Sequence, residues 1–405
     1  MKCFINWVHD MELREYLKNS GNISTPAYYF DTDTFEKRID FVKRLLPEIP
    51  LTFSIKANPF LLYRLPMTLS HVEVCSPGEL EICKAYGISG NRIIYSGVNK
   101  EIEDVKKAIE YGVDITTAES ILHVKIEQKV AEELGKEQKV ILRLTSGNQF
   151  GMSEVDILSI LTNQTRYPNL VFYGIHYYSG TQKKKRQIDK DFEKLDIALT
   201  KFRNEAGFVP RLVEMGPGFP VDYFCPPYNE TEEAILYENK DTILTFAKKY
   251  PLGIEMGRYL AAPCGTYATK VKDTKNNYDT NYIICDGGIH HLKYHGQTMA
   301  MQVPEMEMLS ISTLNKSDVE ERDNGLYCIC GSLCTVADVL VREVTLPIVS
   351  RNDVILFHRC GAYSVTEGTA LFLSRPMPEV YLYSEIDGLE KMRSFVDASD
   401  INRKG

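Results

Sequence analysis

From Leu51 onward, short apolar runs alternate with segments whose apolar residues return every three or four positions. A period of two marks a strand and one near 3.6 marks a helix, so this part of the chain reads as repeated strand–helix units. The runs predict eight strands, over residues 51–55, 72–75, 92–95, 113–116, 140–144, 171–176, 212–215 and 252–255. Between them, the stretch 101–111 sets Ile102, Val105, Ala108 and Ile109 on one helical face. Gly87, Gly112, Gly135 and Gly207 fall where such helices should end. Eight units in about 210 residues is the arithmetic of a TIM (β/α)8 barrel. An open doubly wound sheet shows the same alternation, and the pattern alone leaves it open.

Past Arg258 the period changes. Runs of β character at 266–271, 282–285, 327–330, 339–346, 354–358 and 379–383 are bounded by Gly, Asp, Asn and Pro, mostly with no helix between them. They predict an all-β second domain with a boundary near residue 260. An aromatic strand at 25–31, opened by a proline, follows an N-terminal helical patch. The expected division is a barrel over 26–260 and a β domain over 261–405 joined by the segment 1–25. The stretch 299–324, rich in Met, Glu and Ser, reads as a loop.

The polar residues are not scattered over this pattern. Lys56, Ser76, Arg143, His176, Gly216 and Glu255 stand at or just past the carboxyl ends of the predicted strands, the end at which barrels build their active sites. Lys56 follows the alternating Leu51, Phe53 and Ile55. A lysine held there out of water has a lowered pKa and can form a Schiff base. Gly216-Pro217-Gly218 follows the seventh strand, where barrels often bind phosphate on glycine backbone. Glu255 ends the eighth strand, with Gly257 and Arg258 after it; the pair reads either as a carboxylate and a phosphate-binding cation or as a structural ion pair. The loop from His176 to Gln182 offers aromatic faces and Thr181 as a hydrogen-bond donor.

Composition narrows the classes. Apolar and charged fractions of 44% and 25% are those of a soluble globular protein, and a formal charge of −8 argues against nucleic acid as a partner. No apolar run approaches the ~18 residues of a membrane span. The first eight residues carry too short an apolar stretch for a secretory signal. Ten cysteines occur without a CxxC pair, and Cys328, Cys330 and Cys334 have no nearby His, so no metal site is expected and free thiols in a cytoplasmic protein are.

Taken in order, Ser54-Ile-Lys56-Ala-Asn58, Val74-Cys-Ser76-Pro-Gly78-Glu79, Gln149-Phe-Gly151-Met, the His176–Gln182 loop, Gly216-Pro-Gly218, Glu255-Met-Gly-Arg258, Asp286-Gly-Gly288, Leu333-Cys334-Thr and Gly361-Ala-Tyr363 resemble the fold-type III pyridoxal-phosphate decarboxylases, the ornithine and diaminopimelate decarboxylase family. The resemblance runs from about Thr25 to Leu382. It implies a TIM barrel followed by a β-sandwich, as in alanine racemase and ornithine decarboxylase. It implies pyridoxal 5′-phosphate on Lys56, Glu255 against the pyridine nitrogen, and Thr181, Gly218, Arg258 and Tyr363 on the phosphate, with Gly216 and Gly257 beside it. It further implies a head-to-tail homodimer in which Cys334 comes from the partner subunit to protonate Cα after CO₂ is lost.

Three positions depart from the diaminopimelate pattern. Tyr178 stands where a ring-stacking histidine is usual, two residues after His176. Thr335 follows the cysteine where an acidic group is usual. Tyr294 stands where an arginine for the distal carboxylate is usual, eight residues after Asp286. A buried ammonium needs a paired acceptor, so the substrate side chain should differ. Arg143, Asp286, Tyr294 and Thr335 are the candidate substrate residues. The expected activity is decarboxylation of a modified or conjugated α-amino acid, of siderophore-precursor or carrier-protein type. Free meso-diaminopimelate is the alternative, followed by a racemase or a regulator without turnover; glutamate rather than arginine at position 255 favours decarboxylation.

Overall fold

The computed structural model describes residues 10–21, 23–224, 226–310 and 324–404. The N-terminal residues weighed above as a secretory signal lie outside them, as does the part of the expected loop from 311 to 323. The chain divides into two compact units, one formed by the described parts of Met1–Lys37, Asp222–Tyr228 and Ala261–Gly405, the other by Arg38–Val221 and Asn229–Leu260.

The first strand, β1 (Ala27–Asp31), belongs to the sheet unit. The next eight close a barrel: β2 (Leu51–Ser54), β3 (His71–Val74), β4 (Ile93–Tyr95), β5 (Ile115–Ala118), β6 (Gln138–Arg143), β7 (Leu170–Tyr178), β8 (Leu212–Gly216) and β9 (Leu252–Met256). All eight neighbouring pairs are parallel, β2 with β9 included, which removes the open-sheet alternative. The predicted strands coincide with these to within a few residues; the helix before the fourth barrel strand is capped by Gly112, and that strand starts two residues later than expected. Inside the barrel Ile94, Ile115 and Ile141 pack together with Tyr173 and Leu212 against them. This apolar layer supports the strands below their carboxyl ends, where the polar groups gather.

Helices alternate with the strands: α1 (Asp10–Asn19) and α2 (Thr32–Leu45) precede the barrel, then α3 (Pro77–Ala85), α4 (Ile102–Tyr111), α5 (Ile121–Glu133), α6 (Glu154–Thr162), α7 (Lys185–Ala206) and α8 (Tyr228–Lys249). Ser76, expected among the chemical residues, is the N-cap of α3: its hydroxyl accepts from the Glu79 N–H at 3.2 Å, with Pro77 in the first turn.

Among the described residues nine strands make the mixed sheet of the other unit: β1 with β10 (Gly265–Asn277), β11 (Thr280–Cys285), β12 (Met306–Leu309), β13 (Asn324–Cys330), β14 (Val339–Pro347), β15 (Val354–His358), β16 (Glu379–Ser384) and β17 (Gly388–Arg393). Strand β10 is long enough to pair with β15 over Thr266–Lys270 and with β11 over Val271–Asn277. The expectation that the aromatic strand opens the barrel domain is corrected here. All five residues of β1 are buried, and it pairs antiparallel with β10 and parallel with β16, so its place is central in the sheet. Leu13 and Leu17 of α1 pack onto its Ala27 and Tyr29 and onto Leu356 and Tyr383. The expected loop after residue 299 contains β12, which pairs with β15.

Among the described residues no helix is long and apolar enough to cross a membrane, and no three His, Cys, Asp or Glu side chains are grouped to hold a metal.

Candidate active site

At the carboxyl end of the barrel, β2 ends at Ser54 and the chain turns through Ile55–Ala57, a single 3₁₀ turn that puts Lys56 at the rim. Asn58 accepts from the Phe60 N–H at 3.1 Å and stops the strand direction for good. The Lys56 ammonium donates to Glu73 Oε2 at 2.6 Å and lies 3.7 Å from Glu255 Oε1 and 3.5 Å from Cys75 Sγ. Glu255 also accepts from Ser54 Oγ at 2.7 Å, and its Oε2 lies 3.2 Å from His176 Nε2. Burial opposes the charge on Glu255, yet Lys56 and His176 hold its carboxyl well below the usual carboxylate range. Glu73 takes the Cys75 thiol on its other oxygen at 2.9 Å. Burial, reinforced by that carboxylate, pushes the Cys75 thiol far up.

One carboxyl in this layer behaves differently. Glu214, on β8 opposite His176, is buried, and its Oε1 has no hydrogen-bond partner among the described residues. Burial, helped by the charges of Glu255 and Glu73 and countered by Thr52, pushes its pKa up to about 8. It is therefore a neutral acid at neutral pH.

The cradle beside Lys56 is backbone. Tyr178 and Gly216 are paired across β7 and β8, and the tyrosine ring lies so close that a Cβ on Gly216 would meet its Cδ2 at 2.6 Å. Gly218 has φ +66°, and a Cβ there would meet the Gly180 carbonyl oxygen at 2.0 Å, so neither position admits a side chain. Arg258 follows Gly257 at the end of β9, and Thr181 hydrogen-bonds Tyr178, whose phenol is raised chiefly by burial. The loop that carries Tyr178 and Thr181 is held by one carboxylate of α7. Asp191 accepts from Tyr177 Oη at 3.1 Å, Ser179 Oγ at 2.8 Å and the buried Lys183 Nζ at 2.6 Å. The Lys183 N–H donates to the Gly218 carbonyl at 3.0 Å, which ties this loop to the glycine turn.

Arg143 stands level with His176 at the end of β6, but its guanidinium is paired with Glu119 and covers the Phe150 ring at 4.9 Å. Glu119 accepts the Gly151 N–H at 2.9 Å as well, so this pair shapes the rim loop that follows β6.

The remaining candidates lie in the sheet unit. Cys334 is exposed on a loop whose ends are fixed by buried Asp338, which accepts from the Leu333 N–H at 2.7 Å and the Ile289 N–H at 2.8 Å. Thr335 Oγ1 accepts the Ala337 N–H at 3.3 Å within the same loop. Tyr363 takes φ +69°, a conformation uncommon for a side chain of this size, and its carbonyl receives the Thr366 and Glu367 N–H groups.

Two expected substrate residues are engaged elsewhere. Asp286 accepts from Thr269 Oγ1 and the Lys270 N–H through one oxygen and from Thr25 Oγ1 at 2.8 Å through the other, which makes it a brace of the sheet. Tyr294 is buried and donates to the His358 carbonyl oxygen at 2.6 Å.

Reading the sequence missed Glu73, Lys183, Asp191 and Asp338. Glu73 had a signal, a carboxylate between the apolar residues of a strand; Asp191 and Lys183 had none beyond their charge.

The barrel mouth fits pyridoxal phosphate on its own geometry. It has a lysine at a strand end, a carboxylate held ionised for a protonated ring nitrogen, an aromatic face on Tyr178, and a glycine turn that a Cβ would close, with Arg258 nearby. His176 Nδ1 is buried without a hydrogen-bond partner among the described residues, an unfilled donor or acceptor in the same layer.

Comparison with known proteins agrees with that fit. The family model described as "Pyridoxal-dependent decarboxylase, pyridoxal binding domain" matches residues 32–262. The chain is 28% identical over 404 residues to an L-glutamyl-[BtrI acyl-carrier protein] decarboxylase of Niallia circulans, covering 91% of each. It is 26% identical over 381 residues to a 2-[(L-alanin-3-ylcarbamoyl)methyl]-2-hydroxybutanedioate decarboxylase of Staphylococcus aureus, with 88% of this chain and 93% of that one aligned. A diaminopimelate decarboxylase of Haemophilus influenzae is 24% identical over 384 residues, 89% of this chain and 88% of that one. In fold it is similar to diaminopimelate decarboxylase from Helicobacter pylori, with a TM-score of 0.79 and 20% identity over 96% of this chain and 98% of that one. The chain belongs to the pyridoxal-dependent decarboxylases.

Proposed function

We propose that the enzyme decarboxylates an α-amino acid carried on a larger conjugate, either an acyl-carrier protein or an amide-linked polycarboxylic acid. The observation that carries this reading is Tyr294. Where a diaminopimelate enzyme is expected to hold a distal carboxylate with arginine, this chain has a buried phenol donating to a backbone carbonyl. Thr335, at the expected place of an acid for a distal ammonium, caps its own loop. Neither end of a free diamino acid finds its usual counter-charge. Two relatives named for conjugated substrates support the same reading.

In this proposal Lys56 holds the cofactor, Arg258, Thr181, Tyr363 and the backbone of Gly216, Gly218 and Gly257 hold its phosphate, and Tyr178 covers one face of the ring. Bound there, pyridoxal phosphate supplies an electron-poor ring that accepts the electron pair left when the Cα–CO₂⁻ bond breaks. Glu255, kept ionised by Lys56 and His176, stabilises a proton on the ring nitrogen, and that proton deepens the electron sink. Glu73 Oε2, 2.6 Å from Nζ, would hold Lys56 as an ammonium whenever that nitrogen is not bonded to the cofactor. Arg143 and Glu119 fix the rim. A second copy of the chain supplies Cys334, whose thiol delivers a proton to Cα.

The test is CO₂ release from the reconstituted enzyme on free meso-diaminopimelate, ornithine, lysine and glutamate, on a citrate amide of 2,3-diaminopropionate, and on glutamyl-loaded carrier protein. Turnover of a conjugate with kcat/KM at least ~10² above every free amino acid is expected, against the ordinary enzyme range of about 10⁴–10⁸ M⁻¹s⁻¹. Efficient turnover of free meso-diaminopimelate would overturn the reading.

A further inference from the structure

His176 and Glu214 stand side by side inside the barrel. They are register partners on the parallel strands β7 and β8, so their side chains point to one face from backbones roughly 4.8 Å apart. Both residues are buried, and each has one polar atom without a hydrogen-bond partner among the described residues: Nδ1 of His176 and Oε1 of Glu214. A buried polar atom left unpaired costs free energy until a partner reaches it. Here two such atoms belong to paired residues of one layer.

The chemistry of the two atoms is complementary. His176 Nε2 lies 3.2 Å from Glu255 Oε2. Glu255 is held ionised and only accepts, so the hydrogen in that contact belongs to Nε2. A neutral imidazole with its hydrogen on Nε2 has a bare lone pair on Nδ1 and needs a donor there. Glu214, its register partner, can supply one. Burial and the charges of Glu255 on β9 and Glu73 on β3 keep that carboxyl protonated at neutral pH, against a hydrogen bond from Thr52 on β2. The nearby cation, Lys56, lies with the other two carboxyls, 2.6 Å from Glu73 and 3.7 Å from Glu255. Glu214 Oε2 lies over Gly253 of β9, where a Cβ would meet it at 2.3 Å, and Oε1 is the oxygen left to act. A protonated carboxyl donates through its O–H, which is the donor that Nδ1 lacks.

We propose that Glu214 is a positioning residue for the decarboxylation: as a neutral acid it donates to His176 Nδ1, directly or through one water molecule, and thereby holds the imidazole with Nε2–H on Glu255. A hydrogen bond received at Nδ1 also strengthens the one given at Nε2, since linked hydrogen bonds polarise each other. The consequence reaches the chemistry through Glu255. Braced by Nε2–H, its carboxylate stays charged and keeps a proton on the ring nitrogen of pyridoxal phosphate, on which the electron sink depends. An ionised Glu214 does the opposite: it draws hydrogen onto Nδ1 or, facing a bare nitrogen, repels the ring. This carboxyl therefore works only while it is neutral. The inference holds for any amino-acid substrate. It rests on the placement of Glu255 against the ring nitrogen, so the first measurement is made without cofactor and the two can fail separately.

Apo-protein labelled with ¹⁵N-histidine is titrated by NMR, and the His176 signals are identified by their loss in His176→Gln. In wild type at pH 7, Nε2 should carry the hydrogen and Nδ1 should show the shift of a bare nitrogen that accepts a hydrogen bond. That shift should disappear as pH rises through about 8, where Glu214 ionises. Glu214→Gln, whose amide donates at any pH, should keep it throughout, and Glu214→Leu should lack it throughout. Hydrogen on Nδ1 in wild type at pH 7, or a pH response shared by wild type and Glu214→Gln, would overturn the inference. Should the leucine variant fail to fold, the comparison of wild type with Glu214→Gln decides alone. The second measurement follows the ring nitrogen of ¹⁵N-labelled pyridoxal phosphate in the loaded enzyme. Glu214→Leu should weaken the hold of that nitrogen on its proton about tenfold, seen as a midpoint about one pH unit lower, while Glu214→Gln leaves it in place. An unchanged midpoint in the leucine variant overturns the positioning role. A ring nitrogen without its proton in wild type at pH 7 overturns the placement of Glu255 and with it the link to the reaction, while the His176 titration still decides the hydrogen bond.

Discussion

The barrel mouth and the Cys334 loop place their reactive groups in opposite ways. At the barrel mouth, Lys56, Glu73, Glu255 and His176 form a continuous chain of contacts from 2.6 to 3.7 Å, each charge facing an opposite or hydrogen-bonding neighbour. Cys334 is exposed, and its loop is set by a buried aspartate that binds backbone N–H groups rather than by contacts of the thiol. The first arrangement is preorganised: the fold has already met the cost of desolvating its charges. The second presents a group whose environment is completed by something else. The proposed roles, a rigid anchor for a cofactor at Lys56 and an outward acid for a substrate at Cys334, call for these two solutions.

Replacing Lys56 by Ala tests the first solution with the largest expected effect. CO₂ release should fall by about 10³-fold or more, the scale of an essential catalytic group, and the absorbance band near ~420 nm expected of lysine-bound cofactor should vanish. Activity within tenfold of wild type would break the assignment. Cys334→Ala sharpens the contrast. It should lower kcat about 10²-fold, as loss of a proton donor does, while the band persists. Loss of the band in this variant would mean that the loop builds the cofactor site after all.

Asp191→Asn probes how the barrel mouth is held together. Its carboxylate ties Tyr177, Ser179 and Lys183, so loosening it should raise the cofactor Kd about tenfold, close to 1.4 kcal/mol. Fluorescence titration of the apo-protein measures this, and unchanged affinity would show that the loop stands without the clasp. Glu214→Gln should have the smallest effect near pH 6. The folded pKa of Glu214, about 8, lies above its ordinary value, so the folded state binds the extra proton. Its contribution to stability is complete below about pH 4.5 and is lost as pH rises through about 8. Wild-type Tm should therefore fall over that window, and the glutamine variant should fall less. Parallel Tm profiles would show that Glu214 is ionised throughout.

The strand–helix alternation made the barrel legible because each strand is a short apolar run ended by a polar residue. Lys56 and Glu255 stand at the ends of such runs, where a solvated or ion-paired charge is an ordinary structural feature; the ordered motifs around them, and not the runs alone, marked them as candidates. Partners contributed by other elements were not so marked. Asp191 sits in a helix of ordinary polarity, and nothing local marks that it reaches three residues on the preceding loop. Asp286 and Tyr294 make hydrogen bonds within the sheet unit that a motif position, which conveys residue type alone, does not record. Likewise β1 fell inside the expected bounds of the barrel domain, though it was none of the eight predicted barrel strands. Its pairing with β10 and β16 depends on residues more than 230 positions away, and no local pattern records that.

Among the described cysteines, Cys334 is the exposed one, while Cys83, Cys264, Cys285, Cys328 and Cys360 are buried and Cys75 and Cys330 half-buried. The thiol proposed as the proton donor is thus also a chemical reporter. With Cys3 and Cys225 replaced by serine, its alkylation by a maleimide dye should follow whatever covers that loop, so dilution of the protein, addition of cofactor or loading of a carrier can each be read as a change in labelling rate at one atom.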